Sequence, residues 1–131
     1  MSDPQLSPEL IRFIQTTLPS YDAAVILVSV SRAPDRTWTA ADLSAQMGVD
    51  PGSTQHVQQH LEDFARAGVL DRVEPDGFRL QPAGHESRTV VEELRMAYDR
   101  RPVTLIRAID SAARAKIQSF ADSFKLKRDR E

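Results

Sequence analysis

The sequence predicts a mainly α-helical α+β fold: a helix-turn-helix followed by a β-hairpin, with further helices at both ends. Three observations carry this. Two short helical patterns meet at Met47-Gly48-Val49-Asp50-Pro51-Gly52. The second of them runs into Gly68-Val69-Leu70. Two short extended segments then flank Pro75-Asp76-Gly77. A chain of 131 residues is large enough to bury one real core and short for two.

The elements follow in order. Ser7-Pro8-Glu9 reads as a helix start, with Ser7 as cap and proline in the first turn. Leu10, Phe13, Ile14 and Leu18 recur at helical spacing until Pro19 stops the run. Ser20 can cap a second helix through Arg32, ended by Pro34. Within it, Val25-Ile26-Leu27-Val28 is equally compatible with a buried strand, and the length between the prolines favours helix. Thr37-Trp38-Thr39 is a short strand candidate, with Trp38 a plug in the core. Thr39 and Asp42 form an imperfect capping box, aspartate standing where glutamate is usual. Leu43 and Met47 give the next helix its inner face, and Gly48 suits a left-handed end. Asp50-Pro51 caps a helix running to Ala67, whose stripe of Val57, Leu61, Phe64 and Ala65 faces the core. Residues 69–73 and 78–80 alternate in and out, with Gly77 supplying the turn between them.

Beyond the break at Pro82-Ala83-Gly84, a helix from Ser87 to Arg100 carries Val90, Val91, Leu94 and Tyr98. After Pro102, apolar residues step by three or four: Val103, Ile106, Ile109, Ala113, Ile117, Phe120 and Phe124. That near-heptad seam suits a dimer interface or packing against the chain's own first helix. The chain thus divides into residues 1–84, a helix plus the helix-turn-helix and hairpin, and residues 85–131, a helical arm for dimerisation or packing.

Composition narrows the function. Cysteine is absent, which removes disulfides, thiol catalysis and thiolate metal sites. The longest apolar run, Ala23 to Val28, is far short of the roughly 20 residues a bilayer span needs. Met1-Ser2-Asp3-Pro4 lacks the basic and apolar regions of a secretory signal, so a cytoplasmic protein is expected. Carboxylates sit at helical spacing from arginines, as Glu62 does from Arg66, which is how solvated helix faces look. With no glycine-rich phosphate loop and no nucleophile elbow, neither catalysis nor a cofactor is expected. His56 and His60, four apart on one helix, lack a third ligand for a metal. His85 reads as a surface loop residue.

The segment Thr39-x-x-Asp42-Leu43, Met47-Gly48-Val49, Val57-x-x-x-Leu61-x-x-Phe64-x-x-x-Gly68-Val69-Leu70 and Asp76-Gly77-x-x-x-Leu80 resembles the winged helix-turn-helix superfamily. Within it, the likeness is greatest to the MarR- and PadR-like bacterial regulators. The resemblance implies a transcriptional regulator that binds double-stranded DNA as a homodimer, on a two-fold symmetric site. It makes the helix after Asp50 the recognition helix, presenting Ser53, Thr54, Gln55, His56, Gln58 and Gln59 to the major groove. Glutamine can grip adenine through N6 and N7. Arg72 and Arg79 of the wing would meet the backbone, and Val103, Ile106, Ile109, Ile117, Phe120 and Phe124 would pair the copies.

Charge points another way. Residues 21–84 hold five basic and nine acidic side chains, while residues 101–131 hold eight basic and four acidic. Nucleic-acid binding usually needs a basic stripe. An interaction module that binds a protein partner through its acidic, glutamine-rich face is the alternative. The tail of Lys125, Lys127, Arg128 and Arg130 is either a phosphate anchor or a solvated end.

Overall fold

Helix α1 spans Pro8–Thr17 and α2 Tyr21–Ser31, each begun by a serine. The computed structural model describes residues 6–129 except 49 and 83, and within these leaves the side chains of Pro51 and 123–129 undescribed. Ser7 Oγ accepts from the Leu10 amide at 3.1 Å, and Ser20 Oγ from that of Ala23 at 3.2 Å. Each satisfies a donor that a helix start leaves open. Ser7 also donates to Glu93, by N–H at 2.9 Å and by Oγ at 2.5 Å, fastening the start of α1 to a later helix.

The Val25–Val28 run is helical. It looked strand-like because α2 is apolar nearly all round: Ala23, Ala24, Ile26, Leu27, Val28 and Val30 are all buried. A helix with that pattern belongs in the middle of a core, and α2 packs against later helices and the hairpin.

Helix α3 (Ala40–Met47) opens on the expected capping box. Thr39 Oγ1 accepts from the Asp42 amide at 3.1 Å, and Asp42 Oδ2 from the Thr39 amide at 3.1 Å. Gly48 closes the helix at φ +70°, where a side chain would be strained. The next helix does not begin at Pro51. A single 3-10 turn occupies Pro51–Ser53, and α4 spans Thr54–Arg66. Ser53 is its cap by position but makes no side-chain cap bond, and the Asp50 carbonyl accepts from the Ser53 amide at 2.9 Å.

Strands β1 (Leu70–Val73) and β2 (Gly77–Leu80) pair antiparallel, in the register Leu70↔Leu80, Asp71↔Arg79, Arg72↔Phe78 and Val73↔Gly77. The strand expected at residues 37–39 shrinks to one bridge, Trp38 exchanging both backbone bonds with Phe78 at 2.7 Å. Gly77 is required there by proximity and not by a left-handed turn: a Cβ at that position would collide with the Thr37 Cγ2 methyl.

Helix α5 (Glu86–Arg100) begins one residue before Ser87. Its cap is His85, whose Nδ1 accepts from the Ser87 amide at 3.2 Å, so this histidine is a half-buried structural group. Helix α6 covers Pro102–Asp129. One apolar core runs from Leu6 to Ile109, drawing α1, α2, α5 and α6 together with α3, α4 and the hairpin. Among the described residues no single helix is long and apolar enough to cross a membrane.

Candidate nucleic-acid interface

Helix α4 has two unlike sides. Val57, His60, Leu61 and Phe64 are buried against α2, α3 and β1, while Gln55, His56 and Gln59 are exposed and Ser53, Thr54 and Gln58 half-buried. All six residues expected to face a groove therefore lie on the solvent side or its margin. Two of the glutamines are already engaged. Gln58 Nε2 donates to Glu62 at 2.9 Å and Gln59 Nε2 to Asp63 at 3.1 Å, each spanning one turn. Arg66 bonds Asp63 at 2.9 Å, not Glu62, which the sequence had as its partner. An adenine edge needs both the amide donor and the carbonyl of a glutamine, so these carboxylates compete with a base for the same donors.

The hairpin does not offer its two arginines together. Successive strand residues point to opposite faces, and the register sets Arg72 beside Phe78 but Arg79 beside Asp71. Arg72 lies over the Phe78 ring at 5.4 Å, on the face that carries buried Leu70 and Leu80. Arg79 stands on the other face, its charge opposed by exposed Asp71. Both arginines are exposed, but they stand on opposite faces of the ribbon, Arg72 on the side that meets the core and Arg79 on the other. Another cation, Arg36, lies 3.8 Å from the centre of the Trp38 ring and roofs that buried indole. Sequence spacing showed no signal for this contact, since it depends on how the residue-32–37 turn folds back.

His60 belongs to the apolar stripe of α4. Only 8% of it is exposed, and Nε2 finds no hydrogen-bond partner among the described residues. Its ring meets His56 edge-on at 4.7 Å. Burial, then the neighbouring His56, lowers its pKa, with Asp63 and Asp22 opposing in part. Among the described residues no group of three or more His, Asp or Glu side chains stands ready to hold a metal.

The seam on α6 divides into two faces. Ile109 is buried within its own chain, together with Leu105, which the seam had omitted, so Ile109 is withdrawn from any partner. Val103, Ile106, Ile117 and Phe120 point outward. The side chains of Phe124, Lys125, Lys127 and Arg128, and all of Arg130, lie outside the described residues. Arg32, which caps the end of α2, bonds Asp99 of α5 at 2.5 Å, and that bond lowers the Asp99 pKa and raises that of Arg32.

Compared with family models, curated proteins and solved structures, the chain matches none.

Proposed function

We propose that this protein is a DNA-binding transcriptional regulator of the winged-helix type, with α4 entering the major groove and the β1–β2 ribbon as its wing. The observation that carries the reading is the disposition of α4. It follows α3 through a glycine-ended turn, seats an apolar stripe on the core and turns Gln55 and Gln59 outward, with half-buried Ser53 and Thr54 at its start. Uncharged amides and hydroxyls of this kind read base edges and phosphates.

A specific observation favours a second reading. The carboxylates of Glu62 and Asp63 hold the Gln58 and Gln59 amides, and the outward arginine of the ribbon faces Asp71. Such a surface suits a basic protein partner, which makes the chain a winged-helix interaction module.

Electrophoretic shift against genomic fragments at low and moderate salt separates the two. On the first reading a fragment is retained, and the double substitution Gln55→Ala, Gln59→Ala weakens its binding while the circular dichroism spectrum stays unchanged. No retained fragment at low salt, from folded protein, would refute DNA binding and leave the interaction module.

A further inference from the structure

Three arginines meet around one cavity that no residue of α4 lines. It has a volume of about 480 Å³ and lies between the end of α2, the end of β2 and the side of α5. Arg88, Glu92, Arg95 and Asp99 recur at four, three and four, which puts them on one face of α5. That face meets Arg32, the cap of α2. Pro34 and Leu80 supply an apolar wall.

The guanidiniums are held in place without being saturated. Arg32 is fixed by Asp99, its Nη atoms 3.4 and 2.5 Å from the two carboxylate oxygens. That fork engages only part of the N–H set of a guanidinium. Arg88 Nη1 donates to the Gln81 carbonyl at 2.8 Å, while its Nε is enclosed and has no hydrogen-bond partner among the described residues. Glu92 Oε2 lies 3.7 Å from that Nε, beyond hydrogen-bond reach. Arg95 is half-buried and makes no hydrogen bond or salt bridge among the described residues, its field alone reaching Asp99. Three positive charges thus face two carboxylates, one of which Arg32 already occupies. An enclosed charged donor without a partner is costly. Glu92 is well exposed, so an anion with more oxygens can take its place beside Nε.

The number of guanidiniums selects the anion. A carboxylate is matched by one fork, as Asp99 is by Arg32. A phosphate monoester presents three terminal oxygens and a charge of about −1.5 to −2, which calls for further forks. The cavity is roomier than a phosphate group needs and falls in the range of small-molecule sites. We infer that it binds a small phosphate monoester, with the phosphoryl oxygens on Arg88 and Arg95, Arg32 beside them, and the organic part along Leu80 and Pro34. Glu92 is the like charge that the ligand displaces. The site stands whether or not α4 binds DNA, because it shares no residue with that helix.

Isothermal titration calorimetry of the full chain with phenyl phosphate, in phosphate-free buffer at fixed ionic strength, should show saturable binding at one site per chain. Inorganic phosphate should bind more weakly. Benzoate, the same ring on a carboxylate, should bind at least about tenfold more weakly. Arg95→Gln should weaken phenyl phosphate at least about tenfold with an unchanged circular dichroism spectrum. Arg95 is the residue to change, since Arg88 also bonds the Gln81 carbonyl and its loss disturbs the fold. Glu92→Gln should tighten binding about threefold or more, and Arg114→Gln, on α6 outside the cavity, should leave it unchanged. The inference is overturned by an absence of saturable heat, by wild-type affinity in Arg95→Gln, or by weaker binding in Glu92→Gln. Benzoate or inorganic phosphate binding as tightly as phenyl phosphate would equally overturn it. DNA binding tested by gel shift is a separate readout, and its failure would leave these results standing.

Discussion

Replacing His60 with leucine should stabilise the protein, and increasingly so in acid. The imidazole is buried on the inner side of α4, and its Nε2 has no hydrogen-bond partner among the described residues. A buried polar atom left unmatched costs about 1–3 kcal/mol. Leucine fills a similar space with no polar atom, so at pH 8 the variant should gain about 1 kcal/mol or more, roughly 3–5 °C in Tm for a domain of this size. The pH dependence has a definite sign. Burial holds the folded-state pKa below the usual imidazole value, so the unfolded chain binds a proton first as pH falls. Wild-type stability is therefore full above about pH 6.5. It declines below that value, and the loss is complete once the pH passes beneath the folded-state pKa. The assay is urea unfolding by circular dichroism at pH 8, 7, 6 and 5, comparing wild type, His60→Leu and, as a control at an exposed neighbour, His56→Gln. The stability gap between wild type and His60→Leu should widen from pH 7 to pH 5. A constant gap would show that the histidine does not titrate in a desolvated site. A variant less stable than wild type at pH 8 would show that Nε2 is satisfied in solution.

Two further substitutions test how α3 and the hairpin are held. Thr39→Ala removes one half of the capping box at the start of α3 and should cost about 1 kcal/mol in urea unfolding, with Thr39→Ser close to wild type. Gly77→Ala should destabilise the hairpin through the Thr37 methyl; adding Thr37→Gly should recover much of the loss, and a purely additive double variant would refute the steric account.

The sequence was most readable where the signal is local. Ser7, Ser20 and Thr39 start their helices as their side-chain chemistry requires, and Gly48 ends one in the left-handed region where glycine is at no disadvantage. The outward set on α4 was also legible, because 3.6-residue periodicity fixes which residues oppose Val57, Leu61 and Phe64. What failed depended on contacts between distant segments. Gly77 looked like a turn residue, but the constraint on it comes from Thr37 across the ribbon. Arg72 and Arg79 looked equivalent until the strand register separated them. Ile109 fitted the outward seam by spacing, yet the angle at which α6 lies on α1 and α5 turns it inward with Leu105. His85 carried no sequence signal, since a histidine's role follows from what surrounds its ring, whereas the spacing of His60 from Val57 and Phe64 already sets it on the inner face of α4.

If α4 does enter a groove, the electrostatics of its surroundings set how that binding must respond to salt. Each neutralised phosphate contributes about −0.9 to the slope of log K against log salt. Residues 53–65 contain no lysine or arginine. Arg79 is opposed by Asp71, and Arg72 lies over Phe78. At most about two phosphates per protomer are neutralised from this surface, so the slope should be no steeper than about −2 per protomer. With so small an ionic contribution, discrimination must come from base edges, at about 1–3 kcal/mol for a good bidentate contact. Fluorescence anisotropy with a retained fragment across a salt series gives the slope, and Gln55→Ala should weaken binding without changing it. A slope near −4 or steeper, indifferent to sequence and to Gln55, would mean that phosphates are gripped elsewhere. The basic run at Lys125, Lys127, Arg128 and Arg130 would then be the element to substitute, and α4 would lose its place in the reading.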